Sequence, residues 1–92
     1  MTSITFAAFE SDARSAGYDE VLERHWGPNT VVPTHTHPFS VKAIVIAGEM
    51  WLTAEGATRH LKPGDTFELN SEVPHDERYG DEGTTFWAAR RH

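Results

Sequence analysis

The sequence predicts an all-β fold, in which a short N-terminal helix precedes a small antiparallel β-barrel. Three observations support this prediction. Apolar side chains recur at helical spacing only near the N-terminus. In the rest of the chain, apolar and polar side chains alternate in short segments, and turn residues separate those segments at regular intervals. Ninety-two residues form one small domain. Within it we expect an N-terminal helical segment over residues 1–18 and the barrel over residues 19–92.

The predicted helix runs from about Thr5 to Ala16. Phe6 and Phe9 lie three residues apart, alanines continue the same face, and polar residues fill the opposite face. Gly17 is well placed to end the helix, because glycine readily adopts the left-handed conformation of a helix C-cap. The two phenylalanines should pack this helix against the barrel.

About seven short strands should form the barrel. Gly48 is expected to end one strand, and residues 80–83 are expected to form a turn. Glu55-Gly56 predicts a tight hairpin, and Pro63-Gly64-Asp65 predicts a further turn. The predicted strands are, in order, residues 20–26, 41–47, 50–54, 57–61, 66–69, 75–79 and 84–90.

The strand at residues 41–47, VKAIVIA, is nearly all apolar. A strand with one solvent-exposed face would alternate, so both faces of this strand should be buried. One face belongs in the barrel core, and the other should lie under another layer or a second subunit. Together with the short chain, this strand predicts a homodimer with a twofold interface.

Composition excludes several classes of partner and site. The formal charge of −6 offers no basic surface for nucleic acid or an anionic membrane. The chain has no cysteine, which excludes disulfides and thiolate metal sites, so any metal must be bound by nitrogen and oxygen. No apolar run could span a bilayer and the N-terminus lacks a secretory pattern, so we expect a cytoplasmic protein.

Two histidines in the segment PTHTHPF are candidate metal ligands. On an extended segment His35 and His37 point to the same side, because side chains alternate between the two faces of a strand. Imidazole nitrogen suits zinc, copper, iron or nickel. His75 begins a later strand, and an antiparallel barrel can bring it opposite the first pair. The three histidines therefore form one candidate site.

This order of strands, turns and histidines resembles the cupin family. The first cupin motif is Gly-x5-His-x-His-x3-Glu-x6-Gly, which the chain matches at His35, His37 and Gly48. The second motif is Gly-x5-Pro-x-Gly-x2-His-x3-Asn, which it matches at Gly64 and His75. The resemblance implies a double-stranded β-helix, or jelly roll.

The resemblance covers about residues 29–79 and departs from the family pattern at several positions. Val41 stands where the family has its glutamate ligand, and the neighbouring Lys42 cannot replace that ligand while it is charged. Asn29 replaces the first motif glycine, and asparagine can adopt the same turn conformation. The second motif's proline, glycine and asparagine are replaced by Asn70, Glu72 and Tyr79.

The resemblance implies that His35, His37 and His75 bind a divalent transition metal, which we expect to be iron, nickel, manganese or zinc. The remaining coordination positions would be open to water or a ligand, as in catalytic rather than structural sites. Glu77 shares the face of His75 on a strand and is a further candidate ligand. His25, on the strand before the pair, is another, although its spacing from a neighbouring glutamate equally fits a surface role. Alternatively, the histidines persist in a barrel that has lost its metal.

Six aromatic residues on the predicted strands or their edges are candidate walls of a small apolar pocket, although core or interface roles are also open. In the last strand Phe86 and Trp87 point to opposite faces, so only one of them can face the barrel interior. The six are Phe39, Trp51, Phe67, Tyr79, Phe86 and Trp87.

Two functions follow from these observations. The first is a metal-dependent oxygenase, isomerase or lyase that acts on a small, anionic molecule, with Glu77 and Tyr79 as the candidate catalytic residues. The second is a non-enzymatic small-molecule-binding or sensing cupin module without a bound metal. Bound metal discriminates between them, because the fold alone does not determine function.

Overall fold

A computed structural model of the protein describes residues 4–92 and confirms the predicted antiparallel barrel with one N-terminal helix. The elements are α1 (Phe6–Ser15), β1 (Glu20–Trp26), β2 (Val31–His35), β3 (Ser40–Ala54), β4 (Ala57–Leu61), β5 (Thr66–Leu69) and β6 (His75–Arg91). Every strand pairing is antiparallel.

Two long strands organise the barrel. β3 pairs with β5 through residues 41–44 and with β4 through residues 50–54. β6 pairs with β2 near its start and with β1 through residues 84–90, and it pairs with β3 along most of its length. Because both long strands bend midway, their two halves carry different partners and the sheet folds over itself.

The prediction of about seven short strands was wrong at this bend. Gly48 does not end a strand, and residues 80–83 are not a separate turn. Both lie within long strands, at a register shift where Gly48 pairs with Thr84 and Met50 pairs with Tyr79. Residues 80–83 therefore face Glu49 alone and form a bulge that bends β6.

The helix forms as predicted. The side-chain oxygen of Thr5 accepts a hydrogen bond of 3.1 Å from the Ala8 amide, which caps the N-terminus. Ala16 caps the C-terminus, and Gly17 follows with a φ of 97°. Within residues 4–92, no helix has the length and apolar character that crossing a membrane requires.

The core has two parts. The inner part fills the barrel, and its largest fully buried side chains include Tyr79 and Met50. The outer part lies beneath α1, where Phe9 packs with Trp87, and the partly buried Ile44 contacts this cluster. The second face of β3 is only partly covered, because Lys42, Ile44 and Ile46 all remain partly exposed within the described chain.

Candidate metal centre and cavity

Three histidines meet beside the barrel cavity. His35 ends β2, His37 follows in the loop to β3, and His75 begins β6. His35 and His75 are cross-strand partners, which fixes the approach of the loop to the start of β6. One nitrogen of each imidazole lies within 4.8 Å of the corresponding nitrogens of the other two, so a single ion could contact all three.

Backbone carbonyls orient two of the rings. His35 Nδ1 donates to the Pro33 carbonyl at 2.8 Å, and His75 Nδ1 donates to the Val73 carbonyl at 2.9 Å. A carbonyl oxygen only accepts, so Nδ1 carries the proton in both rings and Nε2 is left with a lone pair. This is the arrangement by which proteins orient a histidine for metal binding.

The Nε2 atoms of the histidines face one another, and not all of them have a hydrogen-bond partner. His35 Nε2 lies 3.1 Å from His37 Nε2. His75 Nε2 is buried and has no hydrogen-bond partner within residues 4–92. An unpaired buried acceptor is costly, and a cation shared by the three rings would remove that cost. The donor set therefore fits a transition metal.

His37 is held in the neutral form that a metal requires. Its ring stacks on Phe39, with centroids 4.7 Å apart and planes at 4°. Burial, and after it the electrostatic effect of the neighbouring His75 and His35, lowers the pKa of His37 from 6.5 to about 4. Metal binding at neutral pH therefore has no proton to displace from this ring.

Glu77 and Tyr79 both lie on the inward face of β6, but they occupy different places. Glu77 lines the cavity, is 8% exposed, and has Oε1 4.0 Å from His75 Nε2. Tyr79 lies deeper, where it stacks on Trp26 with centroids 5.2 Å apart. Burial, and then the negative charge of Glu77, raises the pKa of Tyr79 above its usual value of 10, so its hydroxyl keeps its proton.

His25 is not brought to the cluster. Its neighbours Arg24 and Trp26 line the cavity, so the alternation of β1 directs His25 to the opposite face. There His25 Nε2 lies 2.7 Å from Glu23 Oε1, and Nδ1 lies 2.9 Å from the Thr85 hydroxyl. The structure thus places His25 in a surface network.

The cavity has a volume of about 160 Å³ and a mostly apolar wall. Three of the six predicted aromatic residues, Phe39, Phe67 and Phe86, line it. Trp87 packs under α1, which agrees with the prediction that Phe86 and Trp87 face opposite sides. Trp51 lies outside and stacks on His60, with ring centroids 4.5 Å apart.

Sequence reasoning missed the three cavity-wall residues whose side chains carry N–H donors other than the histidines, which are Arg24, Trp26 and Arg90. The alternation of side chains between the two faces of β1 and β6 could have identified them. Arg24 and Trp26 share one face of β1, and Arg90 shares a face of β6 with the cavity residue Phe86. Val41, in the position of the motif glutamate, also lines the cavity and is the cross-strand partner of Arg90.

Residues 18–89 match the family described as the AraC-like ligand binding domain. No curated protein sequence matches this chain. Among solved structures, the DMSP lyase DddQ from Ruegeria pomeroyi DSS-3 is 29% identical with a TM-score of 0.67, over 78% of this chain and 36% of that one. A conserved protein with a double-stranded β-helix domain from Klebsiella pneumoniae is 27% identical with a TM-score of 0.66, over 77% of this chain and 64% of that one.

An RmlC-like cupin from Shewanella frigidimarina has the same fold at 19% identity, with a TM-score of 0.68 over 78% of this chain and 65% of that one. The matched region thus spans between 36% and 65% of the length of these three proteins. These likenesses confirm the cupin barrel.

Proposed function

The chain belongs to the AraC-like ligand binding domain family, and from that premise we propose that it is a metal-binding cupin with a three-histidine site beside a ligand cavity. In this proposal His35, His37 and His75 hold the metal, and the cavity takes a small anionic molecule. The protein acts on that molecule as an oxygenase, isomerase or lyase. The similarity to a DMSP lyase at 29% identity favours the lyase among these three classes.

The observation that carries the proposal is the unpaired Nε2 of His75. This nitrogen is buried, and its orientation is set by the bond from Nδ1 to a backbone carbonyl. It faces the pair formed by His35 and His37, in which two nitrogens lie 3.1 Å apart. A hydrogen-bonding role would supply a partner for Nε2, whereas a metal-ligating role explains why its lone pair is kept free.

A bound divalent ion would supply Lewis acidity, polarising an oxygen of the substrate. The chain itself supplies a group that can move a proton, because Glu77 lines the cavity close to His75. Glu77 could also serve as a further ligand. Tyr79 keeps its proton and lies behind the cavity wall, and its buried hydroxyl has no hydrogen-bond partner within residues 4–92, so we assign it to the barrel core rather than to contact with substrate.

Several ions fit this donor set. Three neutral imidazoles accept iron, nickel, manganese or zinc, since affinity among divalent ions follows a general order and availability decides occupancy. The missing motif carboxylate at Val41 leaves more positive charge on the ion. That charge favours an anionic ligand over a neutral one.

The second candidate function is a small-molecule-binding or sensing module without metal. The family description and the absence of a carboxylate at Val41 favour it. In this case the histidines serve as hydrogen-bonding residues of the ligand cavity.

Elemental analysis tests the two functions. Protein purified without a histidine tag or added metal is compared with a His35→Ala/His37→Ala variant and with a His60→Ala control, whose histidine lies outside the cavity and bonds Glu49. Near-stoichiometric metal in the wild type and the control, and none in the double variant, supports the metal site. Folded wild-type protein that binds no ion after reconstitution overturns it and leaves the binding module.

Assembly, location and domain division also stay proposals. We propose a homodimer, a cytoplasmic location, and one domain made of a helical segment over residues 1–18 and a barrel over residues 19–92. The partly exposed outer face of β3, which includes Ile44 and Ile46, is the surface that we propose for the dimer contact. Light scattering at micromolar concentration measures the assembly, and a monomer there contradicts it.

A further inference from the structure

The cavity is cationic although the chain as a whole is acidic. Two guanidinium groups, those of Arg24 and Arg90, line it together with the three histidines. Among the described residues that line it, Glu77 supplies the single carboxylate. A chain with a formal charge of −6 thus concentrates positive charge at one concave site. Such a site attracts anions in preference to neutral molecules.

Arg24 is available to a ligand. It lies on the inward face of β1, and its guanidinium carbon is 5.2 Å from the centroid of the Trp26 ring. Within residues 4–92 its side chain has no hydrogen-bond or ion-pair partner. A guanidinium that is stacked on a ring but bonds no acceptor keeps its donors free for an oxyanion.

Arg90 is only partly engaged. Its Nη1 lies 3.2 Å from Glu20 Oε1, and its guanidinium carbon lies 4.8 Å from the centroid of the Phe39 ring. Its other N–H groups have no acceptor in the described part of the chain. Because Arg90 pairs with Val41 across the strands, its charge sits next to the position where the cupin motif would place a glutamate.

A third donor on the same wall also lacks a partner. The indole Nε1 of Trp26 is buried and has no acceptor within residues 4–92. A buried unpaired donor is costly, and a ligand oxygen would satisfy it. The wall beside these donors is apolar, since Phe67 and Phe86 line it.

We propose that Arg24, Arg90 and the Trp26 indole recognise the carboxylate of a small aliphatic acid, whose apolar part packs against Phe67 and Phe86. This assignment rests on the proposed function, because it places the ligand beside the three-histidine site. It names the residues that select an anion and the class of molecule selected. Two guanidiniums can bind one carboxylate with several charge-assisted hydrogen bonds.

NMR titration of the protein with isobutyrate tests the assignment, with isobutyramide as the neutral probe of the same shape. The indole N–H signal of Trp26, identified with a Trp26→Phe variant, reports binding at the proposed donors. We expect this signal to shift with isobutyrate in zinc-loaded protein. Arg24→Gln and Arg90→Gln should each weaken binding about tenfold or more, which corresponds to about 1.4 kcal/mol. Isobutyramide should bind more weakly by a similar factor.

Arg91→Gln is the matched control, because Arg91 is adjacent in sequence but exposed and lies over the Tyr18 ring. It should bind isobutyrate like the wild type. Arg24→Lys and Arg90→Lys keep the charge and should recover part of the affinity, which separates loss of recognition from loss of folding.

The His35→Ala/His37→Ala variant separates this inference from the metal proposal. If isobutyrate still binds this variant and the arginine substitutions still weaken it, the arginine site stands without the metal. If both sets of substitutions weaken binding, the arginines and the metal share the ligand, as proposed. Binding that depends on the histidines but not on Arg24 or Arg90, or no shift of the Trp26 signal at millimolar isobutyrate, overturns the inference.

Discussion

His35 and His75 are cross-strand partners in the β2–β6 pairing, and the centroids of their rings lie 4.3 Å apart. An ion held by both rings would join β2 to the start of β6. Because the unfolded chain has no preformed site, metal binding should stabilise the fold. At a free metal concentration of roughly 100 times the Kd, the gain is about 2.7 kcal/mol. In a domain of this size we expect the Tm to rise by about 10–20 °C, measured by circular dichroism with added zinc.

His75→Ala should abolish this rise, whereas His60→Ala should retain it. Both variants remove one imidazole, but only His75 belongs to the cluster. An equal rise in the two variants would show that zinc stabilises the protein through another site.

Gly48 approaches the backbone of Gly83 at the bend of the two long strands. A β-carbon at Gly48 would overlap the carbonyl oxygen of Gly83, and the φ of Gly48 is 77°. Gly48→Ala should therefore lower the free energy of unfolding by the strain of a positive φ, about 1–2 kcal/mol, and by a further ~2 kcal/mol for the backbone shift. Urea unfolding measures the total.

Gly56→Ala measures the first contribution alone, so the difference between the two variants gives the second. The φ of Gly56 is 78°, almost the same as at Gly48, but no atom lies within 4 Å of the added carbon. This variant should lose only the strain of the positive φ. Equal losses at the two positions would show that the bend can relax around a side chain.

The same bend shows where sequence reasoning about the fold failed. Alternation and turn chemistry predicted the barrel, the helix and the Glu55-Gly56 hairpin. Local sequence patterns predicted the end of a strand at Gly48 and a turn at residues 80–83, because a glycine inside a strand and a glycine in a turn have the same sequence signature. Only the pairing of β3 with β6 shows that the chain continues through both places.

The candidate site was predictable to a different extent at each residue. The spacing of His35 and His37 placed them together, and the antiparallel order of the strands added His75, in agreement with the cupin resemblance. Arg90 was not among the predicted site residues, because a charged residue near a chain end is usually exposed. Closure of the barrel pairs it with Val41 and turns it toward the cavity, which is a long-range effect that no local pattern contains.

Phe9 anchors α1 to the barrel. It is 7% exposed, and its ring centroid lies 6.0 Å from that of Trp87. Phe9→Ala removes this contact and leaves a cavity beneath the helix, so the free energy of unfolding should fall by about 3–5 kcal/mol. Trp87 would then become more accessible to water. Urea unfolding and the red shift of tryptophan emission measure the two effects.

Ser11→Ala, on the exposed side of the same helix, should change the free energy of unfolding by less than about 0.5 kcal/mol. A Phe9→Ala variant as stable as this control would mean that the helix adds little to the barrel.

Glu23 should make the stability of the barrel depend on acid pH. Trp87 Nε1 donates a hydrogen bond of 2.8 Å to Glu23 Oε2, and His25 contacts the other carboxylate oxygen. The bond from Trp87, followed by that from His25, lowers the pKa of Glu23 below its usual 4.5. The stabilisation is therefore fully present above pH 4.5 and is lost as the pH falls through the lower pKa of the folded state.

Glu23→Gln keeps an oxygen acceptor for the indole but cannot carry the charge. We expect the wild type to be more stable than this variant near neutral pH and the two to converge in acid, because protonated Glu23 is also a neutral acceptor. Urea midpoints measured across the acid range test this, with Glu68→Gln as a control at an exposed carboxyl on β5. A wild-type advantage that persists in strong acid would show that Glu23 stabilises the barrel through packing rather than through its charge.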